Sequence, residues 1–130
     1  MKSLLALFLF TVSVSTLSAQ DENGNPPDEI VKYYFVELIT NKDRPELPKE
    51  QVDSIQRAHM ANIGKMIKDK KLVLAGPFEN GGGIFILKVK TMEEAEALVA
   101  QDPAVSAGRL KTEIRAWYTA KSTFTLEKEE

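Results

Sequence analysis

The stretch Ile30 to Ile39 (IVKYYFVELI) is apolar on both sides, and this limits the fold more than any other feature of the sequence. Read at a period of two, Tyr34, Val36 and Leu38 share one side of a strand, with Tyr33, Phe35 and Ile39 on the other. Ile84 to Val89 (IFILKV) repeats the pattern, with Ile84 and Ile86 opposite Phe85, Leu87 and Val89. A sheet built from such strands has no face suited to full wetting, so each face needs cover.

The remaining elements supply cover for one face. From Pro48, which suits a first helical turn, to Lys70, apolar positions recur at Val52, Ile55, Ile63, Met66 and Ile67, with His59 in the same stripe. Gly64 weakens this helix by up to about 1 kcal/mol relative to Ala. Leu72 to Ala75 is a short strand, stopped by Gly76-Pro77, and Asn80 to Gly83 is a loop. Thr91 and Glu94 have capping-box spacing, opening a helix through Ala95, Leu98 and Val99 towards Gln101. Asp102-Pro103 starts a further short helix ended by Gly108, and Leu110 to Tyr118 is the last strand.

The order is that of an α+β, ferredoxin-like βαββαβ protomer: a four-stranded antiparallel sheet with two main helices. Two helices cover one face. Uncovered apolar sheet on a soluble protein marks an interface, so a homodimer joined sheet to sheet is expected. The alternative is that loops or the C-terminal tail fold over that face.

The flanks read differently. Leu4 to Val14 (LLALFLFTVSV), after Met1-Lys2, has the length of a signal-peptide core and is short for a membrane span. Cleavage after Ala19 would leave Gln20 first; the alternative is a buried N-terminal helix. Residues 1–19 are thus expected to be a leader, 20–29 a flexible linker, 30–124 the working domain and 125–130 a charged tail. Export to the periplasm or exterior of a bacterial cell is expected, with no stable membrane anchor, since no Cys follows the leader to carry a lipid.

Composition narrows the chemistry. There is no Cys and a single His, which excludes disulfides, thiolate nucleophiles and any multi-His metal site within one chain. A formal charge of −2 supplies no basic stripe for nucleic acid. Gly81-Gly82-Gly83 lies between strands and lacks the Lys and Ser/Thr of a phosphate loop. No metal and no cofactor are expected. His59 is the main candidate for proton chemistry, since imidazole exchanges protons near neutral pH. Spacing alone reads it first as a satisfied core histidine and second as a functional one. By themselves Arg57 is a solvated charge, Asp102 a helix cap, Ser106 a small polar residue in a short helix and Trp117 core or interface.

Taken together in order, Arg57-Ala58-His59, Leu74-Ala75-Gly76-Pro77, Asp102-Pro103, Ala107-Gly108 and Trp117 resemble the YciI-like (YCII-related) family. The similarity runs from about Tyr33 to Trp117. It implies a dimeric α+β barrel and a pocket with a His–Asp active-site pair, which falls on His59 and Asp102. In that pair the carboxylate would fix the imidazole tautomer, leaving the other nitrogen to take or give a proton. Arg57 could hold a carboxylate or enolate oxygen, and Ser106 is the other candidate for contacting substrate. The expected function is a cofactor-free lyase or isomerase acting on a small carbonyl or carboxylate compound. The alternative is a non-catalytic small-ligand-binding or structural dimer. Relatives commonly have Gly just before the second strand, where this chain has Lys70-Lys71, and many lack a leader.

Overall fold

The alternation along the first strand becomes the two faces of a single sheet. The computed structural model describes residues 22–23 and 27–124. The leader at 1–19, residues 20–21 and 24–26 of the linker, and the charged tail at 125–130 lie outside the described residues.

In chain order the elements are β1 (Ile30–Thr40), α1 (Lys49–Lys68), β2 (Leu72–Pro77), β3 (Gly83–Leu87), α2 (Met92–Ala100), α3 (Pro103–Ser106) and β4 (Leu110–Ala120). A 3₁₀ turn, Lys121–Phe124, follows. The strands form one sheet in the order β2-β3-β1-β4, and each neighbouring pair is antiparallel. β1 and β2 therefore run parallel with β3 inserted between them, the split βαβ unit expected from the order of elements.

Register decides which residues share a face. Val36 lies opposite Phe85, and Tyr34 opposite Leu87. These four and Leu38 are buried against Met66 of α1 and Ala95 and Val99 of α2, with Leu72 of β2 completing the core. Neighbouring positions face the other way. Tyr33 sits opposite Trp117, their rings 6.4 Å apart, and Leu74 opposite Ile86. That second face also holds Phe35 and Ile84, both partly accessible. No helix of the described residues covers it with buried side chains, and none is long and apolar enough to cross a membrane.

Several boundaries differ from the sequence reading. β2 continues through Gly76 and Pro77, which pair with Ile84 and Gly83. β2 is an edge strand, where a missing proline N–H leaves no ladder bond unmade. β3 ends at Leu87 rather than Val89, β1 and β4 run on to Thr40 and Ala120, and Pro48 is the N-cap of α1 rather than its first-turn residue. Ile67, placed in the apolar stripe by spacing, is exposed, because it follows the buried Met66 directly and so points about 100° away from it.

The end of α1 sets the path into β2. Lys71 N–H donates to the Met66 carbonyl and Lys70 N–H to that of Ile67, each at 2.9 Å, a Schellman closure. It needs a left-handed residue at Lys70, whose φ is 57°.

Candidate active site

α1 carries three polar side chains at intervals of three, Gln56, His59 and Asn62, which places them along one flank of the helix. His59 is buried, and its ring stacks on Phe85 with centroids 6.0 Å apart. α3 faces this flank and opens with Asp102, whose side chain is fully buried. Extended φ and ψ at Asp102, followed by Pro103 in the first turn, form an N-terminus in which the carboxylate caps the helix. Asp102 Oδ1 accepts from the backbone N–H groups of Ala104 at 2.9 Å and Val105 at 3.4 Å.

The same carboxylate reaches across to α1. His59 Nδ1 lies 2.8 Å from both Asp102 oxygens, and Asn62 Nδ2 donates to Oδ2 at 2.9 Å. α3 is held in place from its far end, where Asn41 Nδ2 donates to the Gly108 carbonyl at 2.7 Å. Two elements far apart in sequence are thereby locked through one buried acid.

Burial by itself would push the Asp102 carboxyl up. The hydrogen bonds from His59 and Asn62, the charge of a protonated His59 and the Ala104 amide outweigh it, and hold the group below its ordinary range. Asp102 is thus a carboxylate at neutral pH and can only accept, so His59 must present Nδ1–H to it. In the neutral imidazole, Nε2 then carries the lone pair. Nε2 makes no hydrogen bond to the described residues. No fully buried side-chain N or O among them lacks a partner, so Nε2 is reachable by solvent or ligand.

The space it meets is a cavity of about 380 Å³ between α1 and the β2–β3 end of the sheet. Leu38, Ile63 and Phe85 make its floor, and Gly76, Gly82 and Gly83 bring backbone to its wall. Gly82 has φ of 75° and packs so tightly on the Leu38 carbonyl that a Cβ would collide with it. Of the side chains lining the cavity, only His59 and Gln56 are polar.

The structure therefore brings His59 and Asp102 together, and leaves Arg57 and Ser106 apart from them. Arg57 is exposed, and it lies two residues, or about 200°, around α1 from His59. Ser106 is exposed, and its hydroxyl donates to the Pro103 carbonyl at 3.3 Å. Neither lines the cavity. Gln56 and Asn62 were not singled out from sequence, although their spacing of three from His59 was there to be read.

A family model described as the YCII-related domain matches residues 34–118. The uncharacterized protein YjpA of Bacillus subtilis is 28% identical over 64 residues, which span 48% of this chain and 75% of that protein. A solved structure of 5-chloro-2-hydroxyhydroquinone dehydrochlorinase (TftG) from Burkholderia phenoliruptrix, in complex with 2,5-dihydroxybenzoquinone, is 21% identical. The match covers 65% of this chain and 92% of that one, with a TM-score of 0.49.

Proposed function

The chain belongs to the YCII-related family, and on that footing we propose that it is a lyase or isomerase in which His59 and Asp102 move a proton on a small carbonyl or carboxylate compound. The observation that carries this reading is the His59–Asp102 contact, 2.8 Å to both carboxylate oxygens, at the wall of an apolar cavity. A neutral Nε2 facing that cavity is a general base. Asp102 stabilises the imidazolium formed when it takes a proton. Removal of a proton beside a carbonyl leaves an enolate. Its electron pair can expel a group from the next carbon, which is elimination, or be reprotonated elsewhere by the same imidazolium, which is isomerisation. In elimination the imidazolium passes its proton to the departing group and in isomerisation to the new carbon, so neither path changes oxidation state and each returns His59 to its starting form. Gln56, the other polar side chain on the cavity, is placed to donate to the enolate oxygen, the role sequence reasoning gave to Arg57.

The proposal includes a homodimer packed through the face that bears Phe35, Ile84, Ile86 and Leu74, and export of a mature chain starting near Gln20. Light scattering at twice the mature mass supports the first. An N-terminus at Gln20, by mass spectrometry of protein from the native host, supports the second.

The chemical test is a panel of small ketoacids and ring lactones in D₂O, with NMR reading both binding and exchange of the carbon-bound proton. Wild type should exchange at least one of them, and His59→Gln should slow that exchange roughly a hundredfold or more while the dimer persists. If His59→Gln only lowers the melting temperature, with binding and exchange untouched, the catalytic reading fails and a ligand-binding or structural dimer remains.

A further inference from the structure

The cavity at His59 does not end at Gln56. Gln56 and Leu110 also line a second cavity of about 230 Å³. That one in turn shares Arg44, Val52 and Arg109 with a third, of about 440 Å³, at the outer end of α1. The three form a succession along one flank of the helix. From His59 to Val52 is seven residues, or roughly 10 Å of helix at 1.5 Å each.

The two ends differ in chemistry. The inner end is apolar apart from His59 and Gln56. The outer end gathers Lys42, Arg44 and Arg109 against a single carboxylate, Glu46. A chain with formal charge −2 does not produce such an excess by composition. Each guanidinium is lightly held from behind: Arg44 Nη1 donates to the Asn41 carbonyl at 3.3 Å and Arg109 Nη1 to that of Pro45 at 3.5 Å. Among the described residues neither forms a salt bridge. One N–H of each fork is engaged in this way, and a guanidinium has five donors.

We propose that the substrate is an elongated organic acid, with its reacting carbonyl end beside His59 and a carboxylate roughly 10 Å away, held by Arg44 and Arg109. This rests on the proton-transfer reading above and names the substrate class for it. Arg44 comes from the β1–α1 loop and Arg109 from the turn before β4, so two separate segments supply the anchor. Two planar forks suit a carboxylate better than ammonium groups do. Gln56 and Leu110 form the neck between the ends and set the width of what can pass.

The test uses calorimetric titration with phenylacetate, phenylbutyrate and phenylhexanoate, and with phenylhexanol as the uncharged control. Phenylhexanoate, whose ring and carboxylate are about as far apart as the two ends, should bind tightest. It should exceed the alcohol by about tenfold at low salt and lose that margin as salt rises. Arg44→Gln and Arg109→Gln should each weaken it roughly fivefold, and the double variant should bind acid and alcohol alike. Melting curves on each variant separate lost binding from lost fold. Proton transfer is read separately on the ketoacid and lactone panel: if phenylhexanoate binds as stated and no member of that panel exchanges its carbon-bound proton, the catalytic reading falls and the anchor stands. Failure of every acid to bind at millimolar concentration overturns the anchor. So does equal affinity of acid and alcohol in the wild type, or a double variant that binds phenylhexanoate unchanged.

Discussion

Asp102→Asn removes a charge with almost no change of shape, which makes it the sharpest probe of the site. The carboxylate accepts from His59, Asn62 and the amides of Ala104 and Val105. Asn is as good a helix cap as Asp, so the bonds to α3 survive on its carbonyl oxygen. Those to α1 survive only in part: Oδ1 still lies 2.8 Å from His59 Nδ1, and the loss falls at Oδ2. The new amide NH₂ faces the Asn62 NH₂ and the His59 Nδ1–H, both donors. Asn62 loses its acceptor, and His59 either keeps Nδ1–H on Oδ1 alone beside a repelling NH₂ or changes tautomer to accept from that NH₂. A hydrogen bond to a charged group is worth about 1.5–3 kcal/mol and a neutral one about half that, so weakening both should cost about 2–3 kcal/mol. The folded-state pKa of Asp102 is lowered, so its contribution is present above the unfolded value and disappears as pH falls through the lower, folded one. Wild type should therefore lose stability below about pH 4, and Asp102→Asn should lose less over the same range.

The chain has one His, so ¹⁵N-imidazole spectra of untagged protein report this residue alone. Wild type should show a proton held on Nδ1, donated to Asp102. Asp102→Asn loosens the hold on Nδ1–H, so the ring should shift towards the Nε2–H tautomer, which takes the lone pair from the cavity and lowers any proton-exchange rate. A wild-type ring protonated on Nε2 at neutral pH would refute the argument, as would an Asn variant with unchanged tautomer and unchanged denaturation midpoint.

Other expected outcomes are as direct. Lys70→Gly should raise stability by roughly 0.5–1 kcal/mol, since a left-handed φ of 57° is costly for Lys and free for Gly; urea denaturation measures it. Gly82→Ala should lower the melting temperature and distort the cavity wall, because its Cβ meets the Leu38 backbone rather than a movable side chain. Ile84→Glu and Phe85→Glu are neighbours with opposite fates: the first, on the uncovered face, should give a folded monomer by light scattering, and the second, 1% exposed under the helices, should not fold.

How far the sequence could be read depended on whether a feature is local. The alternation that sets Tyr34, Val36 and Leu38 on one side is local and holds, but with both sides apolar it could not say which of them the helices cover. The Thr91–Glu94 cap is local too, and Thr91 Oγ1 accepts from Glu94 N–H at 3.2 Å. The continuation of β2 through Gly76-Pro77 was hidden, because nothing nearby says that this strand lies at an edge. Helical spacing turned His59 inward but could not name its partner, 43 residues away. Asp102 by itself reads as a cap, and it is one. Only the resemblance joined the two. Gln56 and Asn62 were legible as positions on the same flank, yet amides carry no charge or nucleophile to draw attention there.

The double duty of Asp102 explains why the residue is an acid. Capping α3 needs one oxygen, and Asn, Ser or Thr would serve. Burying a carboxylate for that task alone is costly, since desolvation works against the charged form. The cost is offset chiefly by the groups reaching over from α1, with the Ala104 amide adding to them, and those groups include the one imidazole in the chain. A histidine kept purely for packing would be well served with both ring nitrogens bonded inside the protein. Here one nitrogen is fixed by two carboxylate oxygens and the other is left towards an apolar cavity. What the buried Asp102 secures is geometry: its carboxylate accepts at Nδ1, which fixes the tautomer and turns the lone pair of Nε2 towards the cavity.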